Sequence, residues 1–279
     1  MAGTRQTTGL RAGPHVPPER AALGCREVTK TFGAITAVDG VSIGIEDGEW
    51  VSIVGPNGAG KTTLLNVLNG FYDPDSTDDP DTGRIFLGGE DVTDAKTHDR
   101  ARAGLGRTFQ GLELYEEEDV IENVMAIRAV REHPGLLSAL TYLGPGRQLE
   151  AENMRRVEEI IDYLELWEHR HSTVASLPLG IQRRVDLART LALEPDVVLL
   201  DEAMSGLTYD EKYDMFRFLA DLNEQEGLTM VMIEHDLEVV TDVSERMIVL
   251  HQGSVIARGD PDAVVADPEV RRIYTGVDE

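Results

Sequence analysis

The chain has 279 residues, 41% hydrophobic and 28% charged, which fits a globular protein with one large domain or a core with a subdomain. Its 51 acidic residues against 26 basic ones give a formal net charge of −25, which disfavours nucleic acid and anionic lipid as partners. No apolar run approaches the ~20 residues that a membrane-spanning helix needs, and the opening MAGTRQTTGLRAGPHVPPER lacks the apolar core of a signal peptide. The single Cys25 excludes an internal disulfide, as suits a reducing cytoplasm.

From the N-terminus, residues 1–24 are rich in Pro, Gly, Thr and Arg, and we expect a disordered tail there. Short apolar runs then recur, each followed by a polar or Gly-rich turn: WVSIV (50–54), VVLL (197–200), TMVMI (229–233) and RMIVL (246–250). Such runs predict strands buried on both faces, as in a parallel sheet covered by helices. Helical patterns lie between them, such as KTTLLNVLNG, which Gly70 ends, and DEKYDMFRFLADLNEQEG (210–227). They predict an α/β fold with functional residues at the carboxyl ends of the strands.

Residues 111–176 have a different pattern, in which no strand-like run occurs. VIENVMAIRAV (120–130) and LEAENMRRVEEIIDYLEL (149–166) predict helices. In the second, Met154, Val157, Ile161 and Leu164 recur at helical spacing and make one apolar stripe. We therefore predict a single domain over residues 25–275, with a helical subdomain (111–176) inserted into an α/β core (25–110 and 177–260). Residues 261–279 are expected to form a C-terminal tail.

The most specific motif is GPNGAGKTT (55–63), which matches the phosphate-binding pattern G-x-x-x-x-G-K-[ST] between a strand and a helix. Gly58 and Gly60 let backbone N–H groups approach phosphate oxygens, and the following helix points its positive end at the anion. Lys61 is expected to neutralise the β- and γ-phosphates, and the Thr62 hydroxyl to ligate Mg²⁺. The predicted nucleotide-binding residues are Gly55, Pro56, Asn57, Gly58, Ala59, Gly60, Lys61, Thr62 and Thr63.

Polar side chains follow two more of the predicted strands. Asp201 and Glu202 come after VVLL, and His235 follows TMVMI and one further residue. Acidic residues after a strand often cap helices. In a protein with such a phosphate-binding loop (P-loop), however, Asp201 is expected to contact Mg²⁺ through a water molecule. Glu202 is then expected to be the base that polarises the attacking water. His235 is predicted to contact the γ-phosphate, although taken singly it would be interpreted as a structural polar residue.

The order of further motifs narrows the class of P-loop protein. GRTFQ (106–110) precedes the helical segment, LPLGIQRR (177–184) follows it, and DEAMSGL and IEHD come next. This arrangement resembles the ATP-binding subunit of ABC transporters over nearly all of residues 25–275. It looks most like the ATPases of branched-chain amino-acid-type importers, a likeness carried by GPNGAGKTTLLNVLNGFYDPD, GRTFQ, IEHDLEVVTDVSERMIVLHQGSVIARGDP and DPEVRRIYTG. The resemblance implies a P-loop NTPase (RecA-like) core with an antiparallel β subdomain and the helical insert.

The resemblance also implies roles for single residues. Phe32 matches the aromatic side chain that stacks on adenine, although a core phenylalanine is almost as good an interpretation. Gln110 matches the glutamine that touches Mg²⁺ and water and senses the transmembrane partner; alone it would be a surface residue. Residues 205–208 match the loop that crosses to the opposing subunit. The implied assembly is a head-to-tail homo- or heterodimer on integral-membrane permease subunits at the cytoplasmic side of the membrane, with a solute-binding protein in the complex.

The segment LPLGIQR is either a helix start with an early proline or a degraded form of the family's LSGGQ signature. In that signature a Ser hydroxyl and Gly amides at a helix N-terminus clasp the partner's γ-phosphate. Pro178 has neither a hydroxyl nor an N–H, whereas the helix dipole and the amides around Gly180 remain. We predict a weaker clasp of the partner's nucleotide. The predicted trans contacts are Pro178, Leu179, Gly180 and Gln182.

Two other positions depart from the family pattern: Ala203 stands where Pro is usual, and Thr208 where the loop commonly ends in Asp.

Lipid-exporting ABC ATPases resemble this importer group closely and stay an alternative function. Soluble ABC ATPases of DNA repair or translation usually carry coiled coils, zinc modules or tandem ATPase units, which this chain lacks, and its acidic charge argues against nucleic acid. A non-hydrolytic scaffold is disfavoured because the catalytic set is complete. The leading expectation is an ATP-hydrolysing subunit of an importer of branched-chain amino acids or related solutes.

Overall fold

The computed structural model describes residues 16–108, 111–131, 145–234 and 237–275. In these four ranges no helix combines the length and apolar character that crossing a bilayer would require. The chain folds around two sheets.

The central sheet has six strands in the order β10-β9-β3-β8-β7-β6. All neighbours in it are parallel except β9 and β10. Every residue of β3, β7 and β8 is buried, which confirms the prediction of strands covered on both faces. The strands are β3 (Trp50–Val54), β6 (Leu105–Thr108), β7 (Val197–Asp201), β8 (Thr229–Ile233), β9 (Arg246–His251) and β10 (Ser254–Gly259).

A second, antiparallel sheet packs on one face of the central sheet. Its order is β2-β1-β4-β5, with β1 (Leu23–Phe32), β2 (Ile35–Ile45), β4 (Arg84–Leu87) and β5 (Glu90–Asp91). This is the β subdomain that the family resemblance implies. The predicted disordered tail, residues 1–24, is wrong for its last part, because residues 16–24 belong to the described structure and β1 begins at Leu23. Ala21 and Ala22 are buried, and a Cβ at Gly24 would come within 2.6 Å of the Pro18 backbone.

The central sheet separates two hydrophobic clusters. Alternate residues of β7 divide between them: Val197 and Leu199 face the antiparallel sheet and helix α1 (Lys61–Leu68), and Val198 and Leu200 face the remaining helices. The short helix α2 (Thr97–Arg102) precedes β6. Helices α5 (Leu179–Leu191), α6 (Tyr209–Glu226) and α7 (Leu237–Val243) follow the helical insert, and all three contribute buried residues to the cluster that contains Val198 and Leu200.

The helical insert contains α3 (Val120–Arg131) and α4 (Pro145–Tyr163). Helix α4 begins four residues before the predicted run and ends three residues before its end. The apolar stripe is still core, because Val157, Ile161 and Leu164 are fully buried and Met154 is half-buried.

The predicted C-terminal tail instead contains two helices, α8 (Pro261–Ala266) and α9 (Pro268–Thr275). Asp260 caps α8, since its Oδ1 accepts a hydrogen bond from the Ala263 N–H at 3.1 Å. Val264 and Val270 are buried in the same cluster as the central sheet. These apolar side chains hold the segment against the domain, so "tail" is wrong for residues 261–275.

Candidate functional site

The P-loop, residues 55–62, joins the end of β3 to the start of α1, as predicted. Its glycines are required for two different reasons. Gly55 and Gly60 have φ values of +153° and +102°, and a Cβ on either would lie 2.1 Å from a carbonyl oxygen, that of Leu250 or Ala37. Gly58 has φ +79° with nothing within 4 Å of a Cβ, so its backbone conformation alone calls for glycine.

The loop is braced from inside and from the β9–β10 turn. The Gly253 N–H donates to the Ala59 carbonyl at 2.9 Å. The buried Lys61 ammonium donates to the Gly55 carbonyl at 2.7 Å and to that of Pro56 at 3.2 Å. Burial lowers the pKa of Lys61, and the nearby carboxylates of Glu202 and Asp201 oppose that shift.

The acid pair lies at the same edge of the sheet as the P-loop. Asp201 ends β7 and is 1% exposed. Glu202 has φ +51°, in the left-handed region, and its N–H donates to the Ile233 carbonyl at 3.0 Å. That hydrogen bond ties the turn after β7 to the end of β8. Because β3, β8 and β7 run parallel, their carboxyl ends bring the P-loop and both acids together.

Arg107 is a site residue that the sequence interpretation missed. Its Nη2 donates to Asp201 Oδ2 at 2.8 Å and its Nη1 to Asn66 Oδ1 at 2.6 Å. Burial raises the pKa of Asp201, whereas its ion pair and hydrogen bond with Arg107 lower it. The other carboxylate oxygen, Oδ1, is buried and has no hydrogen-bond partner among the described residues.

That unpaired oxygen bears on whether Mg²⁺ fits the site. The described residues contain no group of three or more His, Cys, Asp or Glu side chains able to hold a metal ion by themselves. Protein-bound Mg²⁺ commonly uses one or two carboxylates together with substrate phosphates and water. A buried carboxylate oxygen needs a donor, and a metal-bound water is one. Asp201, with the half-buried Thr62 beside Lys61, therefore fits a nucleotide-held Mg²⁺.

His235 and Gln110 lie outside the described residues. The strands that lead to them reach the same edge: Ile233 pairs with Ile53 and Asp201, and Thr108 pairs with Leu200. The predicted roles of His235 and Gln110 stay predictions.

A family model described as "ABC transporter" matches residues 38–205. The chain belongs to the ABC transporter family. A second model, described as "Branched-chain amino acid ATP-binding cassette transporter", matches residues 254–279. Those residues include β10 and both C-terminal helices.

Two curated relatives of this ABC transporter chain illustrate the range of cargo in the family. The high-affinity branched-chain amino acid transport ATP-binding protein BraF of Pseudomonas aeruginosa is 34% identical over 249 residues, 89% of this chain and 95% of the relative. The lipopolysaccharide export system ATP-binding protein LptB of Acidithiobacillus ferridurans is 33% identical over 254 residues, 91% of this chain and 96% of the relative.

Solved structures agree on the fold of this ABC ATPase. The ADP conformation of the ATP-binding cassette MJ1267 is 29% identical with a TM-score of 0.78, covering 92% of this chain and 99% of that one. A dimeric post-hydrolysis state of the cassette MJ0796, bound to ADP and Pi, is 26% identical with a TM-score of 0.71, covering 86% and 98%. The predicted P-loop NTPase fold is confirmed.

The signature segment of this ABC transporter subunit forms a helix start. Pro178 is the N-cap of α5, with no side-chain hydrogen bond to the helix, and Leu179 is its first residue. The Gln182 amide donates to the Leu177 carbonyl at 2.9 Å and to the Val174 carbonyl at 3.3 Å, so this group braces the loop before the helix. Its contact with a partner's nucleotide stays a prediction. At Gly180 a Cβ would lie 2.2 Å from Glu211 Oε1, so glycine also makes room for α6.

Phe32 lies at the end of β1, where the β1–β2 hairpin comes close to the P-loop through the contact of Ala37 with Gly60. The residue is 43% exposed, and its ring stands edge-on to that of Tyr72, with the ring centroids 5.2 Å apart. The exposure disfavours the core alternative and leaves the ring accessible, although its contact with adenine stays a prediction.

Two further features of this ABC subunit lie around the P-loop and α6. Thr208, which replaces the family's usual Asp, is the N-cap of α6 and forms a capping box with Glu211, so the change preserves the cap.

At the C-terminus, α9 reaches the P-loop: burial raises the pKa of the Tyr274 hydroxyl to about 12, and a hydrogen bond with the Gly55 backbone opposes that shift. The motif DPEVRRIYTG thus includes a contact that its sequence does not reveal.

Proposed function

We propose that this chain is the ATP-hydrolysing subunit of an importer of branched-chain amino acids or related small solutes. The observation that carries the ATPase part is the convergence of Lys61, Asp201 and Glu202 at one edge of the central sheet, where the parallel strands β3 and β7 end. The cargo rests on the match of residues 254–279 to the branched-chain model, which favours amino acids over lipid export.

The P-loop would bind the nucleotide's phosphates through its backbone N–H groups, since its glycines hold positive-φ conformations in which successive N–H groups can form an anion-binding loop. Lys61 would exchange its bonds to the Gly55 and Pro56 carbonyls for bonds to the β- and γ-phosphates. Phe32, exposed at the tip of the β1–β2 hairpin, would contact the adenine. Thr62 and Asp201, together with Gln110, would hold Mg²⁺, which neutralises developing charge on the phosphates.

Hydrolysis would begin with Glu202 accepting a proton from water as that water attacks the γ-phosphorus. The bond from the γ-phosphorus to the β–γ bridging oxygen breaks, and ADP leaves with that oxygen while inorganic phosphate is released. His235 would hold the γ-phosphate in line for this attack. The turn at Glu202, fixed by its hydrogen bond to Ile233, keeps the base at the mouth of the P-loop.

A second copy or a related ATPase subunit would complete the site in trans, because the N-terminus of α5 presents backbone amides around Gly180 to a partner's phosphate. Leu179 is 41% exposed at this helix start, as an interface position would be. The loop 205–208 would cross to the same partner. The Gln182 amide would join this contact by giving up its bonds to the Leu177 and Val174 carbonyls.

The signature yields one expected result. Pro178→Ser should strengthen ATP-dependent dimerisation about tenfold, because a hydroxyl bond to a charged phosphate is worth about 1.5–3 kcal/mol. Sedimentation in a Glu202→Gln background, where ATP is not consumed, measures it. A serine N-cap also stabilises the helix by about 1 kcal/mol, so Pro178→Ala and thermal unfolding of each variant are the controls. Equal dimerisation by the Ser and Ala variants would reject a hydroxyl clasp.

The subunit would act on integral-membrane permease subunits at the cytoplasmic face of the membrane, with a solute-binding protein delivering cargo. The test is to purify the tagged chain from detergent-solubilised membranes of its own cells and identify what accompanies it. We expect two permease-type membrane proteins and an amino-acid-binding protein. Recovery of lipid-export membrane proteins would change the cargo, and recovery of a repair or ribosomal complex without a permease would reject transport.

A further inference from the structure

Arg107 is the third residue of β6 and its side chain is 6% exposed. Strand β6 runs parallel to β7 with Arg107 opposite Leu199, so the long side chain extends two residues further, to Asp201 at the strand end. The backbone is fixed as well, since Thr190 Oγ1 on α5 donates to the Arg107 carbonyl at 3.2 Å. The guanidinium therefore has a defined position at the floor of the nucleotide site.

One guanidinium connects three elements that meet at this site. Nη2 binds Asp201 Oδ2 on β7, and Nη1 binds Asn66 Oδ1 on α1, the helix that begins with the P-loop's Lys61 and Thr62. Asn66 is four residues after Thr62, one helical turn along α1. The planar fork of an arginine suits this pair of acceptors better than an ammonium would.

We propose that Arg107 is the positioning residue for Asp201: it binds one carboxylate oxygen, compensates the buried charge, and leaves Oδ1 for a water bound to the nucleotide's Mg²⁺. Two observations carry this. Asp201 is 1% exposed, and a carboxylate buried to that extent is retained only with a compensating partner. Of its two oxygens, Oδ2 has the Arg107 bond, whereas Oδ1 is buried with no hydrogen-bond partner among the described residues.

The inference rests on the proposed nucleotide site and goes beyond it, because the family motifs assign no role to the residue at 107. A purely structural ion pair would stabilise the fold and affect every nucleotide state alike. A positioning residue affects the Mg²⁺-dependent part of binding and little else. The two roles therefore differ in a quantity that can be measured without turnover.

The experiment is equilibrium binding of a fluorescent ATP analogue to the full chain, in EDTA and across a Mg²⁺ titration, with thermal unfolding of each variant. For Arg107→Gln we expect the affinity for the analogue in EDTA to stay within about twofold of wild type. The Mg²⁺ midpoint, which is the Mg²⁺ concentration that gives half of the gain in affinity, should rise about tenfold, as for other residues that orient metal partners. Arg107→Lys should recover most of this shift but leave the midpoint about two- to threefold above that of wild type, because an ammonium can reach Oδ2 but lacks the planar fork.

Arg246→Gln is the matched control. The Arg246 side chain is similarly buried, at 7% exposed, and is paired to a carboxylate, with Nη2 at 2.7 Å from Glu49 Oε2. It lies at the start of β9, at the other end of the sheet. We expect Arg246→Gln to lower the unfolding temperature without moving the Mg²⁺ midpoint.

An unchanged Mg²⁺ midpoint in Arg107→Gln would overturn the inference, and so would an equal loss of affinity in EDTA and in Mg²⁺. If the Gln variant does not fold, Arg107→Lys decides, since a midpoint identical to wild type would then count against positioning. Failure of the proposed site has a different signature: wild type would not bind the analogue, or Lys61→Met would bind it equally well.

Discussion

Replacing Glu202 with Gln is expected to reduce ATP turnover about a hundredfold or more while nucleotide binding stays close to wild type. A positioned general base contributes about 10²–10⁴ in rate, and Gln keeps the size of the side chain without its basicity. The left-handed turn at 202 and the hydrogen bond from its N–H to Ile233 involve only the backbone, so the fold should tolerate the change.

Phosphate release and binding of a fluorescent ATP analogue, measured on the same preparation, check this expectation. Glu165→Gln is the control for removing a carboxylate: Glu165 is an exposed residue paired with Arg217 at 2.8 Å, on the helical side of the domain. Its turnover should match wild type. A Glu202→Gln variant that keeps a tenth or more of the turnover would mean that another group is the base.

Replacing Lys61 with Met is expected to weaken ATP binding about a hundredfold or more. Lys61 is the one side chain of the P-loop able to place a full positive charge on the phosphates, through about two charge-assisted hydrogen bonds of about 1.5–3 kcal/mol each. Met retains the aliphatic stem. It also removes the bonds from Lys61 to Gly55 and Pro56, which brace the nucleotide-free loop.

Calorimetric titration with Mg-ATP measures the loss, and thermal unfolding separates it from a destabilised loop. Lys96→Met makes the same substitution at an exposed position at the start of α2 and should leave affinity unchanged. Affinity within tenfold of wild type in Lys61→Met would contradict the predicted contact with the β- and γ-phosphates.

The P-loop and the central strands could be predicted because their signals are local. A run such as WVSIV is buried wherever it lies in the sheet, and GPNGAGKTT specifies its own turn through the glycines. The acid pair was predictable for the same reason, since Asp201 and Glu202 directly follow a buried strand. The order of these motifs along the chain then sufficed for the family.

Contacts between distant segments were not predictable from those signals. Arg107 and Asp201 are 94 residues apart in sequence and meet only because β6 and β7 are neighbours in one register. The bond from the Gln182 amide to the Leu177 carbonyl was likewise not predictable from the signature motif.

The C-terminal segment illustrates a third case. We expected a tail there, but Pro261 and Pro268 each stand at the first position of a short helix, where a missing N–H has no cost. Burial of Val264 and Val270 then holds both helices on the domain. Only the packing shows that Tyr274 reaches the P-loop.

The most direct test of ATP-driven import uses the complex that co-purifies with this chain, reconstituted into liposomes with ATP on the side of the ATPase. Accumulation of radiolabelled leucine is measured alongside phosphate release, for wild type and for Glu202→Gln. The account predicts leucine accumulation that requires Mg-ATP and is lost with Glu202→Gln. Phosphate release by wild type without movement of any branched-chain amino acid would contradict it.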